Sequence, residues 1–339
     1  MNDRSVSLLE QYELEVLHTR KGRGAILCET DQGLLIFKEY GGNPEHLKLQ
    51  NIFLQHLSQK SEVQAEGLIP TKEGELFVKD NDGMRYVLKT YRDGRECNLH
   101  EKSDCLQAVR LLAKLHLASP EYHDISWGDL EMEAAEQSMQ GMKPRFQIEE
   151  EYAKRNRELK KIRKFLLTRS QKTWFELSLL ACFDRFYRQA QEALEGWSAY
   201  LEGMRGERNY ILCHGDYTYH NLLQDQNGWF MINFERCIWD DAVRDLHLLL
   251  RKLLEKNDWS VSFGEELISE YERLRPLPAI SKIDLHYRLA FPEKFWKIAN
   301  YYYNSGKAWI PDRNLEKLEK LLLQEDRKKA FLESRIWLN

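Results

Sequence analysis

The segment His214-Gly215-Asp216-Tyr217-Thr218-Tyr219-His220-Asn221 sets a carboxylate and a carboxamide a few positions apart on one short loop. Phosphoryl transfer needs a base near an acceptor hydroxyl and an oxygen ligand for a metal that bridges the phosphates. Asp216 and Asn221 can divide those tasks. Ile232-Asn233-Phe234-Glu235 follows a hairpin later, and Asn233 occupies the place from which a second metal ligand leaves the next strand. A surface turn followed by an ordinary hairpin would use the same residue types, but several correctly spaced elements agree here. Cys213, His214 and His220 match no standard zinc spacing, so the histidines are expected to brace the loop or lie on the surface.

The elements that must position this loop can be read from periodicity. Glu15–His18 and Ala25–Glu29 flank a turn, Asp31-Gln32-Gly33 makes another, and Leu34–Lys38 is an apolar run, which together predict a meander. Pro44 to Leu57 has helical apolar spacing and is entered at Asn43. Leu76–Lys79 and Met84–Lys89 bracket the hairpin signal Asn81-Asp82-Gly83. From about residue 91 the pattern turns helical: Asp104 is expected to cap a helix, residues 129–170 to form exposed helix and loop, and Phe183–Met204 to form an amphipathic helix. A β-rich island at Tyr210–Cys213, Leu222–Asp225 and Trp229–Phe234 interrupts the helices, which resume at Arg244–Lys256.

Composition narrows the function. Fifty Lys and Arg against 54 Asp and Glu give a net charge of −4 across 339 residues, so no bulk positive field draws in nucleic acid. Aromatic residues at 12% supply anchors that disordered chains lack. No run of apolar residues is long enough to span a membrane. Residues Met1–Val6 do not read as a secretory leader, and six scattered cysteines without a Cys-x-x-Cys pair suit synthesis in a reducing cytosol.

The loop resembles that of the aminoglycoside phosphotransferase and choline kinase branch of the protein-kinase-like superfamily. Within that branch the chain is most similar to the CotS-like spore coat protein family, through Cys213–Asn221, Asp241–Leu246, Phe291–Trp309 and Tyr91–Glu96. The resemblance implies an α+β, bilobal protein-kinase-like fold: a nucleotide-binding β-lobe with one helix over residues 1–90, and a mainly helical lobe over 91–339. It also implies ATP and Mg²⁺ as cofactors, Asp216 as catalytic base, and Asn221, Asn233 and Glu235 at the metal. Asn233 replaces the metal-binding Asp of an active enzyme, and a neutral amide cannot supply that carboxylate's charge. Glu235 would lie on the same face if the segment is extended. Lys38 would touch the phosphates with Glu45 as its ion-pair partner, or be a strand-end surface lysine while Glu45 meets the helix dipole. The Lys21-Gly22-Arg23-Gly24 turn would cover the phosphates through Gly22 and Gly24, or be a plain hairpin turn. Leu88, Lys89 and Tyr91 would meet the nucleotide through backbone groups. In the family Asp245 props the catalytic loop. The expected function is a spore-coat protein, weak or inactive in catalysis (a pseudokinase), whose partners are nucleotide and other coat proteins. The alternative is an active phosphotransferase acting on a small hydroxylated molecule or on a coat protein.

Overall fold

In the computed structural model, which describes residues 3–22, 24–121, 147–201, 210–305 and 312–337, the chain forms two compact units. One comprises Met1–Pro144 with Asn209–Leu248, the other Arg145–Arg208 with Leu249–Asn339. Arg23, Trp309, residues 129–146 of the charged stretch and residues 202–204 lie outside the described residues.

The first unit is built on an antiparallel sheet of β1 (Val16–Gly22), β2 (Ala25–Thr30), β3 (Gly33–Glu39), β4 (Leu68–Ile69), β5 (Val78–Lys79) and β6 (Arg85–Thr90). Its order is β1-β2-β3-β6-β4, with β5 also on β6. Alternation along β3 buries Leu35 and Phe37 with Leu9, Tyr12, Ile26 and Leu88, which leaves Ile36 and Lys38 on the other face. Ile36 pairs with Lys89 and Lys38 with Val87, so the two lysines are diagonal neighbours on one face of the sheet.

Helix α1 (Pro44–Lys60) starts as expected: Asn43 Oδ1 accepts the Glu45 N–H, and Pro44 takes the first turn, where no N–H is needed. Its buried face presents Leu47, Gln50, Phe53 and Leu57. After β7 (Arg95–Glu96), helix α2 (Lys102–Ala118) begins at Glu101 and not at Asp104. The Asp104 carboxylate is taken instead by both guanidinium nitrogens of Arg95 and by the Asn98 N–H, tying the preceding loop to the helix.

The β island forms β8 (Ile211–Cys213), β9 (Leu222–Asp225), β10 (Gly228–Met231) and β11 (Ile238–Asp240). β7, β9 and β10 make one small sheet, β8 and β11 another. The strand expected to run to Phe234 stops at Met231, because Asn233 adopts a left-handed conformation with φ 67°.

The second unit holds α3 (Gln147–Thr168), α4 (Trp174–Leu201), the end of α5 (Val243–Lys256), α6 (Val261–Glu272), α7 (Ala279–Ala290), α8 (Glu293–Asn304) and α9 (Asp312–Leu332). Aromatic side chains dominate its core: Tyr152 stacks on Phe291 at 4.1 Å, and Phe186 on Phe295 at 4.5 Å. Inside it, Asp284 accepts from Trp197 Nε1 and Arg288 Nε, each at 2.8 Å. Among the described residues no helix is long and apolar enough to cross a membrane.

Loss of the α1 cap gives a first test. Asn43→Ala should lower stability by about 1 kcal/mol, read as a drop in the urea midpoint at unchanged slope. An unchanged midpoint would mean that the cap bond contributes nothing.

Candidate active site

The loop after β8 is suspended from one buried carboxylate. Asp245, in the first turn of α5, accepts the His214 N–H at 2.7 Å and the Gly215 N–H at 2.9 Å, while His116 Nε2 lies 3.4 Å away. Burial alone would push the Asp245 carboxyl up; the bond and charge of His116, with the other loop donors, hold it down. Gly215 has φ 80°, and a Cβ there would fall 1.8 Å from the Arg236 carbonyl oxygen, so only glycine lets the two backbones meet. His214 Nδ1 accepts the Asp216 N–H at 3.2 Å, which leaves Nε2 to donate to the Ile232 carbonyl at 3.1 Å. The ring packs on Phe234 at 4.3 Å. His220 instead lies at the exposed surface, its Nδ1 2.5 Å from Glu96.

Facing this loop is a cluster of two ammoniums and two carboxylates. Glu235 Oε1 accepts from Lys38 at 2.8 Å and from Lys89 at 2.7 Å. Lys89, only 1% exposed, also reaches both oxygens of Glu66 at 2.9 and 3.0 Å. Glu66 in turn accepts the Phe234 N–H at 3.0 Å and approaches Gln50 of α1 at 3.4 Å. Burial would lower the Lys89 ammonium's pKa; the two carboxylates overcome this and raise it. Gln64 and Glu66 are tied to β10 through backbone bonds to Met231 at 2.9 and 2.8 Å, which fixes Glu66 beside the site.

Asn221 and Asn233 complete the arrangement. Asn221 Nδ2 donates to the Asp216 carbonyl at 2.8 Å, so its Oδ1 is the atom left for Asn233 Nδ2, also at 2.8 Å. Asn233 Oδ1 then accepts from Lys38 at 3.3 Å. Lysine can only donate, so the amide orientations are determined from both ends. A divalent cation needs oxygens converging on it. Here one of the two amide oxygens faces an N–H, the other faces an ammonium, and Glu235 is held by two lysines. The donor set as folded does not fit a bridging divalent cation.

The structure brings Lys38, Asp216, Asn221, Asn233 and Glu235 onto the wall of one cavity of about 360 Å³, together with Tyr40, Gly41, Gly42 and Arg236. Asp216 is 40% exposed along its side chain, and its nearest ion-pair partner is Arg236 at 4.0 Å. Glu45, Gly22, Gly24, Leu88 and Tyr91 are not among the lining residues. Lys38 pairs with Glu235 and not with Glu45, which reaches Lys48. The segment carrying Glu235 is not extended, since Asn233 turns it, and this turn delivers the carboxylate to the lysines. Leu88 and Lys89 lie in the middle of the sheet between β3 and β4, and the Tyr91 N–H is taken by the Leu34 carbonyl. Glu66, Arg236 and the Lys89 side chain were not anticipated. Arg236 could have been flagged by its place directly after Glu235, but Glu66 has no local signal.

The family profile described as "Spore coat putative kinase YutH" matches residues 5–335 of the chain. Spore coat protein S of Bacillus subtilis (strain 168) is 23% identical over 341 residues, covering 96% of this chain and 92% of that protein. Among solved structures, an aminoglycoside phosphotransferase from Alicyclobacillus acidocaldarius superposes with a TM-score of 0.77 at 20% identity, covering 96% of this chain and 92% of the other. A spectinomycin phosphotransferase in complex with ADP and spectinomycin gives 0.63 at 14% identity, covering 98% of each chain. The α+β fold expected from the sequence, an N-terminal antiparallel sheet followed by a mostly helical part, is the one observed and matches these kinase-like neighbours.

The charge cluster makes a prediction about acid stability. Burial would raise the Glu235 carboxyl, but Lys89 and then Lys38 hold it down at about 2, against an ordinary value of 4.5. A depressed carboxylate stabilises the fold above its unfolded value and loses that contribution as pH falls toward the folded one. The stability gap between wild type and Glu235→Gln should therefore be widest near neutrality and close between pH 4.5 and about 2. Denaturant titrations at several pH values measure it; a gap independent of pH would rule out an ionised, lysine-bound Glu235.

Proposed function

The chain belongs to the spore coat kinase-like family described as YutH, and from that premise we propose that it is a coat-associated, nucleotide-binding protein whose phosphoryl transfer is weak or lost. The reading rests on Asn233, an amide in the place of a metal-binding carboxylate, with its N–H turned toward Asn221. The nucleotide-binding part is residues 1–90, and the remainder to residue 339 supplies the loop and its supports. Lys38 meets the phosphates, Asp216 is the base-like carboxylate, and Asn221, Asn233 and Glu235 stand where the metal ligands of an active enzyme would be. Gly22, Gly24, Leu88, Lys89 and Tyr91 lie off the cavity wall, so any part they take in holding ATP is with the portion of the ligand that extends beyond it. ADP bound to the similar spectinomycin phosphotransferase supports a nucleotide here. The likeness to spore coat protein S supports a place in the coat with other coat proteins as partners. On the second unit, Trp174 at 73% exposure and Tyr301 at 55% offer surface for such contacts.

One observation favours the alternative of an active phosphotransferase for a small hydroxylated molecule or a coat protein. The Asp216 carboxylate is accessible in the cavity, and the loop that carries it is fully braced. Turnover separates the two readings. ADP formation by the wild type with Mg²⁺ should stay at the buffer background, with or without hydroxylated acceptors. Asp216→Asn should not weaken nucleotide binding, because a base acts on the acceptor. Robust ADP release that Asp216→Asn abolishes would establish the active enzyme instead.

A further inference from the structure

Within that nucleotide-binding reading, we infer that the site takes the phosphates of its ligand without a divalent cation, with Lys38 and Arg236 supplying the positive charge. The two amide oxygens that could face a metal are already taken, that of Asn221 by the Asn233 N–H at 2.8 Å and that of Asn233 by Lys38 at 3.3 Å.

The charges around the cavity agree with this. In a metal-dependent arrangement the carboxylate at position 233 is negative, and the ion brings two positive charges. Here that negative charge is absent, and Arg236 adds a positive one directly after Glu235. Lys89 and Lys38 face Glu66 and Glu235, ammonium for carboxylate. Asp216 has Arg236 at 4.0 Å, and the remaining carboxylate of the wall, Glu39, is at the solvent-exposed end of β3. With Glu39 included these groups carry one net negative charge, so room for phosphate comes from Arg236 and Lys38 exchanging their carboxylate partners for the ligand. Lys89 is the fixed member: buried and doubly paired, it shares the Glu235 carboxylate with Lys38. Arg236 is the adaptable member, 75% exposed along its side chain and able to swing from Asp216 to a phosphate. A guanidinium binds phosphate oxygens in bidentate fashion, which a lysine cannot do.

ATP and GTP titrated calorimetrically into the full-length chain test this, in excess EDTA and in excess MgCl₂. Affinity should agree between the two conditions within about threefold. In EDTA, Arg236→Gln should weaken binding about tenfold, the loss of one charge-assisted contact, and Arg236→Lys should recover part of it. Because Arg236 is exposed, neither variant threatens the fold. Asn233→Asp is also tolerated by the backbone, since Asp enters the left-handed region nearly as readily as Asn. It should weaken binding in EDTA and make it respond to Mg²⁺. Binding by the wild type that appears only with Mg²⁺ would overturn the inference and leave the nucleotide reading standing. Binding of neither nucleotide under either condition would overturn the reading itself.

Discussion

Glu235 binds two lysines with one carboxylate, and most of the first unit converges on that contact. Lys38 and Lys89 arrive from adjacent strands of one sheet, Glu66 from a loop tied to β10, and Glu235 from the turn made by Asn233. Desolvating such a cluster is costly unless each charge is met and hydrogen-bonded. The pairs between Lys89 and its two carboxylates, and the Phe234 N–H on Glu66, meet that condition. Pieces far apart in the chain are therefore held in one register, and the cavity takes its shape from it.

On the other side, Asp245 holds two successive backbone amides of the loop from its buried position, while Gly215 lets the loop touch the Arg236 backbone. Loop geometry and site charge thus have separate supports. An exchange of Asp for Asn at position 233 alters the charge and leaves the backbone conformation available, since both residues tolerate positive φ. The charge of the site can then change without a change of backbone.

The sequence exposed the parts of this that are local. The loop residues, the Asn43–Pro44 helix entry and the β3 lysine each rest on a short pattern, and the kinase-like fold followed from the family resemblance. Pairings across the chain were not legible. Glu45 stood at the start of the expected helix and looked a natural partner for Lys38, while Glu235 lies 197 residues from it and is delivered by a turn that periodicity cannot register. Glu66 stands in an irregular segment and reaches the cluster only through that segment's bonds to β10. Asp104 had the right type for a cap, but Arg95 and the Asn98 N–H claimed it. Glu235 and Glu66 were hidden because their partners lie far along the chain, whereas at Asp104 a contact only nine residues away outweighed the capping preference.

The bond from the Phe234 N–H to Glu66 carries one more implication, for chemical ageing. Asparagine deamidates when the nitrogen of the following residue attacks the side-chain carbonyl carbon, closes a five-membered succinimide and releases ammonia. At Asn233 that nitrogen lends its proton to a buried carboxylate at 3.0 Å, and the side-chain amide is hydrogen-bonded through both its nitrogen and its oxygen. The nitrogen and the target amide are both held in hydrogen bonds, so ring closure requires these bonds of the cluster to open. The same contacts that assemble the cavity therefore protect an amide whose slow hydrolysis would rewrite its charge.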